Sequence, residues 1–334
     1  MVPGGASLMA EATRSVSDEG RDDVVLPFAV EPLDLRGRIV RLGPQIDRIL
    51  ARHAYPTPVT QLLGEALALT ALLGSSLEQG SDGRFQLQTK SDGPVSMIVV
   101  DFDAPDRLRA FARFDAERIA ALAATGDVDA GRLLGAGHLA FTIDQGGDAS
   151  RYQGLVALTG QNLEAAAHEY FRQSEQIPTL VRLGVAQMVT GSGAVWRAGG
   201  LLAQFLPDSP ERRRRADLHP GDAPPGVAPH AVQEDDAWNE ARALAGSVEI
   251  HELVDPTLSS ERLLYRLFHE RGVKVFEALP VREACRCSPE RIRSMLRSFT
   301  PQERADMIGE DGRIGVTCEF CSSHASFEPA EFGE

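Results

Sequence analysis

The chain has 334 residues, 43% of them hydrophobic, enough for about two domains of ordinary size and at least one sizeable core. Its 48 acidic residues against 34 basic ones leave a formal charge of −14, which argues against the clustered basic face that nucleic-acid binding needs. The longest apolar run, residues 66–73, is interrupted by Thr70 and is too short to cross a bilayer, so no membrane contact is expected.

Residues 1–22 are rich in Gly, Ser, Ala and acids and lack an apolar core of about seven residues, so a disordered extension is expected there and not a signal peptide. From 23 to 206 strands and helices mix without strict alternation. That pattern predicts an α+β fold with a large, mixed, sheet-rich N-terminal domain, and not a doubly wound sheet. Residues 58–77 carry Leu62, Leu63, Leu67, Leu69, Leu72 and Leu73 around most of a helix circumference, which marks a buried helix. Residues 84–90 alternate Phe85, Leu87 and Thr89 against polar side chains, Ser91-Asp92-Gly93-Pro94 turns, and 95–100 returns as the second arm of a hairpin.

Residues 138–144 and 152–158 predict two more strands, and Leu163, Ala166, Ala167, Tyr170 and Phe171 space out as a helix face. Gly135-Ala136-Gly137-His138-Leu139-Ala140 fits the loose dinucleotide pattern GxGxxA. The alternation just after it is that of a strand, however, so a glycine-rich strand entry is the better reading. No Walker A, GxSxG or HExxH motif appears, and no catalytic residue is expected. His53, His138, His168 and His251 show no partner in the sequence. Tyr170-Phe171-Arg172-Gln173-Ser174-Glu175-Gln176-Ile177-Pro178-Thr179 ends a helix on two aromatics and enters a strand. Glu175 and Gln176 there suit backbone capping or a subunit contact better than catalysis, since no paired acid or base accompanies them.

Residues 207–230 hold six prolines and the run Arg212-Arg213-Arg214-Arg215, which predicts a flexible insertion over 207–234. A helical linker is expected over 235–280. Residues 235–245 and 259–270 are amphipathic within it, the second with Leu263, Leu264, Leu267 and Phe268 inward and Gly272 past its end. This linker is expected to pack with the C-terminal segment, residues 281–334.

All four cysteines lie in that segment: Cys285-Arg286-Cys287, thirty residues, then Cys318-Glu319-Phe320-Cys321. Two pairs spaced this way can close a tetrahedral thiolate site, and Zn2+ suits four sulfurs. Two structural disulfides are the alternative, disfavoured because disulfide scaffolds are usually small and cysteine-dense. Around the pairs, Ser288 and Pro289 start a helix with Ile292, Met295, Leu296 and Phe299 on one stripe. Thr300, Pro301 and Glu303 start a second helix in which Met307 and Ile308 supply apolar contacts and Gly309 ends it, and residues 313–317 and 324–327 form a hairpin about the knuckle. So few large apolar residues make metal binding the main source of the module's folding free energy. His324 lies close enough to stand in for a thiolate, but four cysteines already complete the tetrahedron.

These two cysteine pairs, the 170–179 segment, Gly137-x-Leu139 and Tyr152-x-Gly154 together resemble the redox-regulated thirty-three-kilodalton heat-shock chaperonin family over residues 26–327. The resemblance implies an ATP-independent cytoplasmic holdase for unfolded clients, homodimeric when active. Its reduced form binds Zn2+ through Cys285, Cys287, Cys318 and Cys321. On oxidation it implies disulfides Cys285–Cys287 and Cys318–Cys321, zinc release and a loosened linker. The N-terminal extension and the 207–230 insertion are longer than the family pattern needs. Chemistry leads to the same mechanism, because a zinc-bound thiolate stays nucleophilic, each sulfenic acid has a resolving thiol one or two residues away, and loss of the metal unfolds the module. Two other classes compete with it. A zinc-ribbon nucleic-acid-binding or regulatory protein would need basic knuckles, yet 282–334 holds seven arginines against ten acids. A hydrolase with a structural zinc tail would need a convergent nucleophile or acid/base set in 23–206, and none is visible.

Overall fold

The computed structural model describes residues 22–77, 82–126, 128–146, 151–191, 193–206 and 235–332. The expected N-terminal extension, apart from Asp22, and the proline-rich insertion at 207–234 lie outside them. The described chain is α+β, as expected, with two large sheets, a set of helices and a small C-terminal unit.

The first sheet begins with the hairpin β1 (Val24–Val30) and β2 (Leu35–Leu42), joined by a short turn that ends on Asp34 in the left-handed region. It is completed by β8 (Thr179–Thr190) and β9 (Gly193–Phe205), so that β9 lies between β2 and β8. The second sheet contains β3 (Arg84–Ser91), β4 (Val95–Asp103), β5 (Arg107–Phe114), β6 (Ala136–Asp144) and β7 (Tyr152–Thr159), in the order β5-β4-β3-β6-β7. The hairpin expected over 84–100 is present as β3–β4, and the two strands expected at 138–144 and 152–158 are present and pair with each other as β6–β7. The GxGxxA segment enters β6 directly, so the glycine-rich strand entry holds. Tyr170 explains the nearby Tyr-x-Gly pattern: a Cβ at Gly154 would sit 2.2 Å from the Tyr170 ring, so only glycine lets the aromatic lie on β7.

Helix α1 (Pro44–Ala51) leads into α2 (Thr57–Gly74), which is apolar all round because it is sandwiched between the sheets. Shorter helices α3 (Ala116–Ala124) and α4 (Ala130–Leu134) follow β5. Helix α5 (Leu163–Tyr170) continues as a π-helical turn over Phe171–Glu175, where Tyr170 Oη donates to Glu175 Oε1 at 2.6 Å. This gives Glu175 a local structural partner.

The linker corrects one expectation. Helices α6 (Asp236–Gly246), α7 (Ile250–Val254) and α8 (Ser260–Phe268) form where expected, except that α7 was not foreseen. Their apolar faces do not meet the cysteine module. Trp238, Leu253, Leu263, Leu264 and Phe268 pack instead on the outer face of the first sheet, against Phe28, Ile39, Leu201 and Phe205. Phe268 stacks on Phe28 with ring centroids 5.7 Å apart. Arg41 and Arg197 from the sheet donate to the Asp255 and Val254 carbonyls, placing cations at the C-terminus of α7. An amphipathic stripe specifies burial, and the broad apolar sheet face offers more area than a module with three fully buried apolar side chains among the described residues.

Candidate metal centre

Beyond α8 the chain becomes a set of two-residue strands: β10 (Lys274–Val275), β11 (Leu279–Pro280) and β12 (Arg282–Glu283). The first two pair with β1, on either side of Pro27, whose missing N–H thus interrupts no ladder; β12 runs parallel to β5. Residues 274–283 therefore stitch the cysteine module to both sheets.

Within the module, Ser288 accepts from Arg291 N and caps α9 (Pro289–Arg297), and a Thr300–Glu303 capping box starts α10 (Pro301–Asp306). The hairpin β13 (Ile314–Thr317) and β14 (His324–Phe327) pairs Ile314 with Phe327 and Thr317 with His324. The core is Leu296, Ile314 and Phe327, with Ile292 and Phe299 against it. Met295, Met307 and Ile308, expected to add apolar contacts, are exposed. The helices are too short for their stripes to close over a shared interior.

The hairpin bend and the segment before α9 bring the thiols together. All four Sγ atoms lie within 4.8 Å of one another, and among the described residues no other group of three or more metal-binding side chains meets that condition. Cys285 and Cys318 are 3.7 Å apart and Cys287 and Cys321 3.2 Å. A regular tetrahedron with metal–sulfur bonds of about 2.3 Å has edges of about 3.8 Å, so the donor set fits one tetrahedral ion. His324 is not a member; its Nδ1 lies 3.0 Å from Thr317 Oγ1 at the surface.

Electrostatics also favour a cation. Burial and the neighbouring sulfurs Cys321 and Cys285 push the Cys287 thiol up, and burial does the same to Cys318 against the Cys321 and Phe320 amides. Burial opposes the Cys321 thiolate too, but the Ser323 hydroxyl and N–H, with the neighbouring thiols, bring it down to about 6. One sulfur is thus stabilised as an anion while its neighbours resist ionising beside it, a frustration that a bound cation relieves.

The module docks on the β4–β5 edge through residues that the sequence reading missed. Arg286, the residue between two of the cysteines, reaches Asp101 and Asp103 at 3.0 Å each. Arg109 pairs with the same Asp101 at 2.5 Å, lies 3.9 Å from Cys285 Sγ and stacks 3.8 Å over the Phe320 ring. Burial works against the Arg109 guanidinium, yet Asp101 outweighs it and holds its pKa above the usual value. Phe320 also meets Phe111 edge-on at 4.7 Å. His53, expected to be isolated, has Nε2 3.3 Å from Phe320 O and Nδ1 3.2 Å from Ser322 Oγ. His168 likewise accepts from Val181 N and His251 meets Glu249. An arginine between two cysteines and an aromatic in the CxxC knuckle were the available signals for the interface.

No helix among the described residues is long and apolar enough to cross a membrane. A family model described as Hsp33 protein matches residues 23–328. Curated relatives include the 33 kDa chaperonin of Caulobacter vibrioides, 46% identical over 310 residues, covering 92% of this chain and 95% of that protein. The 33 kDa chaperonin of Ectopseudomonas mendocina is 34% identical over 308 residues, 92% of each chain. Among solved structures, the 33 kDa chaperonin (heat shock protein 33 homolog) of Thermotoga maritima superposes with a TM-score of 0.70 at 20% identity, over 93% of this chain and 96% of that one.

Proposed function

Because the chain belongs to the Hsp33 protein family, we propose that it is a redox-regulated, ATP-independent chaperone, silent when reduced and switched on by oxidation of Cys285, Cys287, Cys318 and Cys321 to hold unfolded proteins. The observation that carries this reading is the convergence of four half-buried thiols in a module whose own core is three side chains. Zn2+ is the proposed ion, and when bound it would keep the thiolates deprotonated and supply folding free energy on the order of 10–16 kcal/mol, by comparison with zinc-finger peptides.

A thiolate attacks peroxide, taking one oxygen to become a sulfenic acid and releasing hydroxide; a second thiolate then displaces hydroxide from that sulfur and forms the disulfide. Each disulfide formed consumes one peroxide, to which the two thiolates give two electrons. We assign the pairs as Cys285–Cys287 and Cys318–Cys321, because those partners stay one or two residues apart even when the module loosens. Arg286 lies inside the first pair. Closing that disulfide moves the backbone carrying the guanidinium that meets Asp101 and Asp103, and residues 274–283 relay the disturbance to the linker. Release of α6–α8 bares two apolar surfaces together, the helices' own and the Phe28, Ile39 and Leu201 face of the sheet. A homodimeric oxidised state and a cytoplasmic location complete the proposal. It needs no nucleotide and no catalytic residue.

One experiment tests it. Peroxide is titrated into reduced protein while released zinc, disulfide connectivity and suppression of a denatured client's aggregation are followed without ATP. About one zinc per chain should leave in step with activity, and dithiothreitol plus zinc should reverse both. Activity in the fully reduced, metal-loaded chain equal to that after oxidation would sink the switch.

A further inference from the structure

Among the described residues, Arg38 has no partner. Along β2, Val40 belongs to the core between the sheets and Ile39 to the core under the linker, so the alternation of the strand sends Arg38 to the inter-sheet side. Its side chain is half-buried, its Nε is fully buried without a hydrogen bond, and no carboxylate of the described chain pairs with it. Burial alone acts on this guanidinium, lowering its pKa.

The guanidinium borders a cavity of about 200 Å³ between α2, the two sheets and the π-helical turn. Its apolar walls include Leu73, Phe85, Ile143, Phe171 and Leu202. Glu175 and Tyr170 line it too, but they are bonded to each other at 2.6 Å. Arg38 and Gln204 also line a broader groove of about 880 Å³ whose other walls include Glu31, Asp34, Lys274 and Phe276.

A half-buried cation whose Nε is sealed from water without a partner is costly, and an apolar side chain of similar length would avoid that cost. Its planar fork suits a carboxylate held by two parallel bonds. Most side chains beyond it are apolar, the Tyr170–Glu175 pair, Ser76 and Gln204 being the polar exceptions, and the volume is below the range of drug-sized sites, so the rest of the ligand must be small and largely apolar. We propose that Arg38 heads a binding site, distinct from the thiol centre, for a small monocarboxylate with an apolar body.

Sodium benzoate and sodium hexanoate are the probes, titrated into the reduced full-length chain and followed by amide NMR shifts. Saturable shifts at Arg38, Phe85, Phe171 and Leu202 are expected. Benzyl alcohol and inorganic phosphate should give none, since the first lacks the charge and the second the apolar body. In Arg38→Met the benzoate affinity should fall at least about tenfold, and without any ligand this variant should melt at a higher temperature than the parent. Three results overturn the proposal: no saturable shift with either carboxylate, equal binding of benzyl alcohol, or undiminished binding by Arg38→Met. A lower melting temperature for ligand-free Arg38→Met also overturns it, because the guanidinium would then already be compensated.

Discussion

Glu65 on α2 shows how a single group sets a pH dependence far from the thiols. Burial, and then the Glu164 carboxylate, raise its pKa to about 7. Glu164 is fixed in place, accepting from Leu183 N at 2.6 Å and lying 4.0 Å from Arg182 Nε. In the unfolded chain the same carboxyl titrates near its ordinary value of 4.5. Between those two values the folded chain holds one more proton than the unfolded chain, so this group makes stability fall as pH rises through that window. The penalty is absent below about 4.5 and complete above about 7, with a ceiling of about 3 kcal/mol. Glu65→Gln should therefore raise the melting temperature at pH 8 and leave it nearly unchanged at pH 4. Thermal melts of both proteins at the two pH values check this, and an equal gain at both would rule out a titrating Glu65.

At the scale of elements, the proposed switch makes the linker helices the movable part, and the sheet face they cover is what they would leave. Leu264 and Phe268 of α8 are 0% and 1% exposed, and both belong to the cluster beneath the linker on the first sheet. Changing either to Ser removes most of a buried apolar side chain, a loss of about 3 kcal/mol each, and adds a hydroxyl without a partner. The double variant should free α8 while all four thiols stay intact. Holdase activity should then appear in the reduced form with zinc content unchanged, as measured by light scattering of a denatured client and by elemental analysis. A variant that stays silent when reduced and matches the parent when oxidised would show that the linker is not the bistable element. Warming should speed activation in the parent for the same reason, since opening a packed face has a large activation enthalpy.

At the scale of the whole molecule, three cores of different size divide the chain. The first lies between the two sheets around α2, the second between the first sheet and the linker, and the third is the three-residue core of the module. Only the third lies in the module that carries the four thiols. A chelator under reducing conditions should therefore erase hydrogen-exchange protection in α9, β13 and β14 while β3, β4 and β6 keep theirs. Loss of protection in those sheet strands on chelation alone would contradict separable cores. The two six-stranded sheets and the helix between them bury most of the apolar side chains of the described chain and contain none of the four cysteines. Contact between module and sheets is made by Asp101, Arg109 and Arg286, by Phe320 on Phe111, and by the short strands of 274–283.

The sequence by itself determined whatever depends on local spacing. Two cysteine pairs, the second in the bend of a hairpin, announced a tetrahedral donor set, capping residues and 3.6-residue stripes placed α2, α6 and α8, and period-two alternation gave the β3–β4 hairpin and the strands β6 and β7. Strands β1, β2 and β9 escaped notice because they are largely apolar on both faces, so their alternation is weak, whereas β5 does alternate, Arg107, Arg109 and Arg113 against Leu108, Ala110, Ala112 and Phe114, a signal the sequence reading passed over. Tertiary structure alone decided which surface each apolar face would meet. The stripe on α8 required burial but did not name the first sheet as its partner, and the β2–β9 pairing joins residues more than 150 positions apart. The charges were equally silent: Arg286 finds Asp101 and Asp103, Arg109 finds Phe320, and Arg38 finds nothing among the described residues, because each outcome depends on strands brought together by pairing, which no local period encodes.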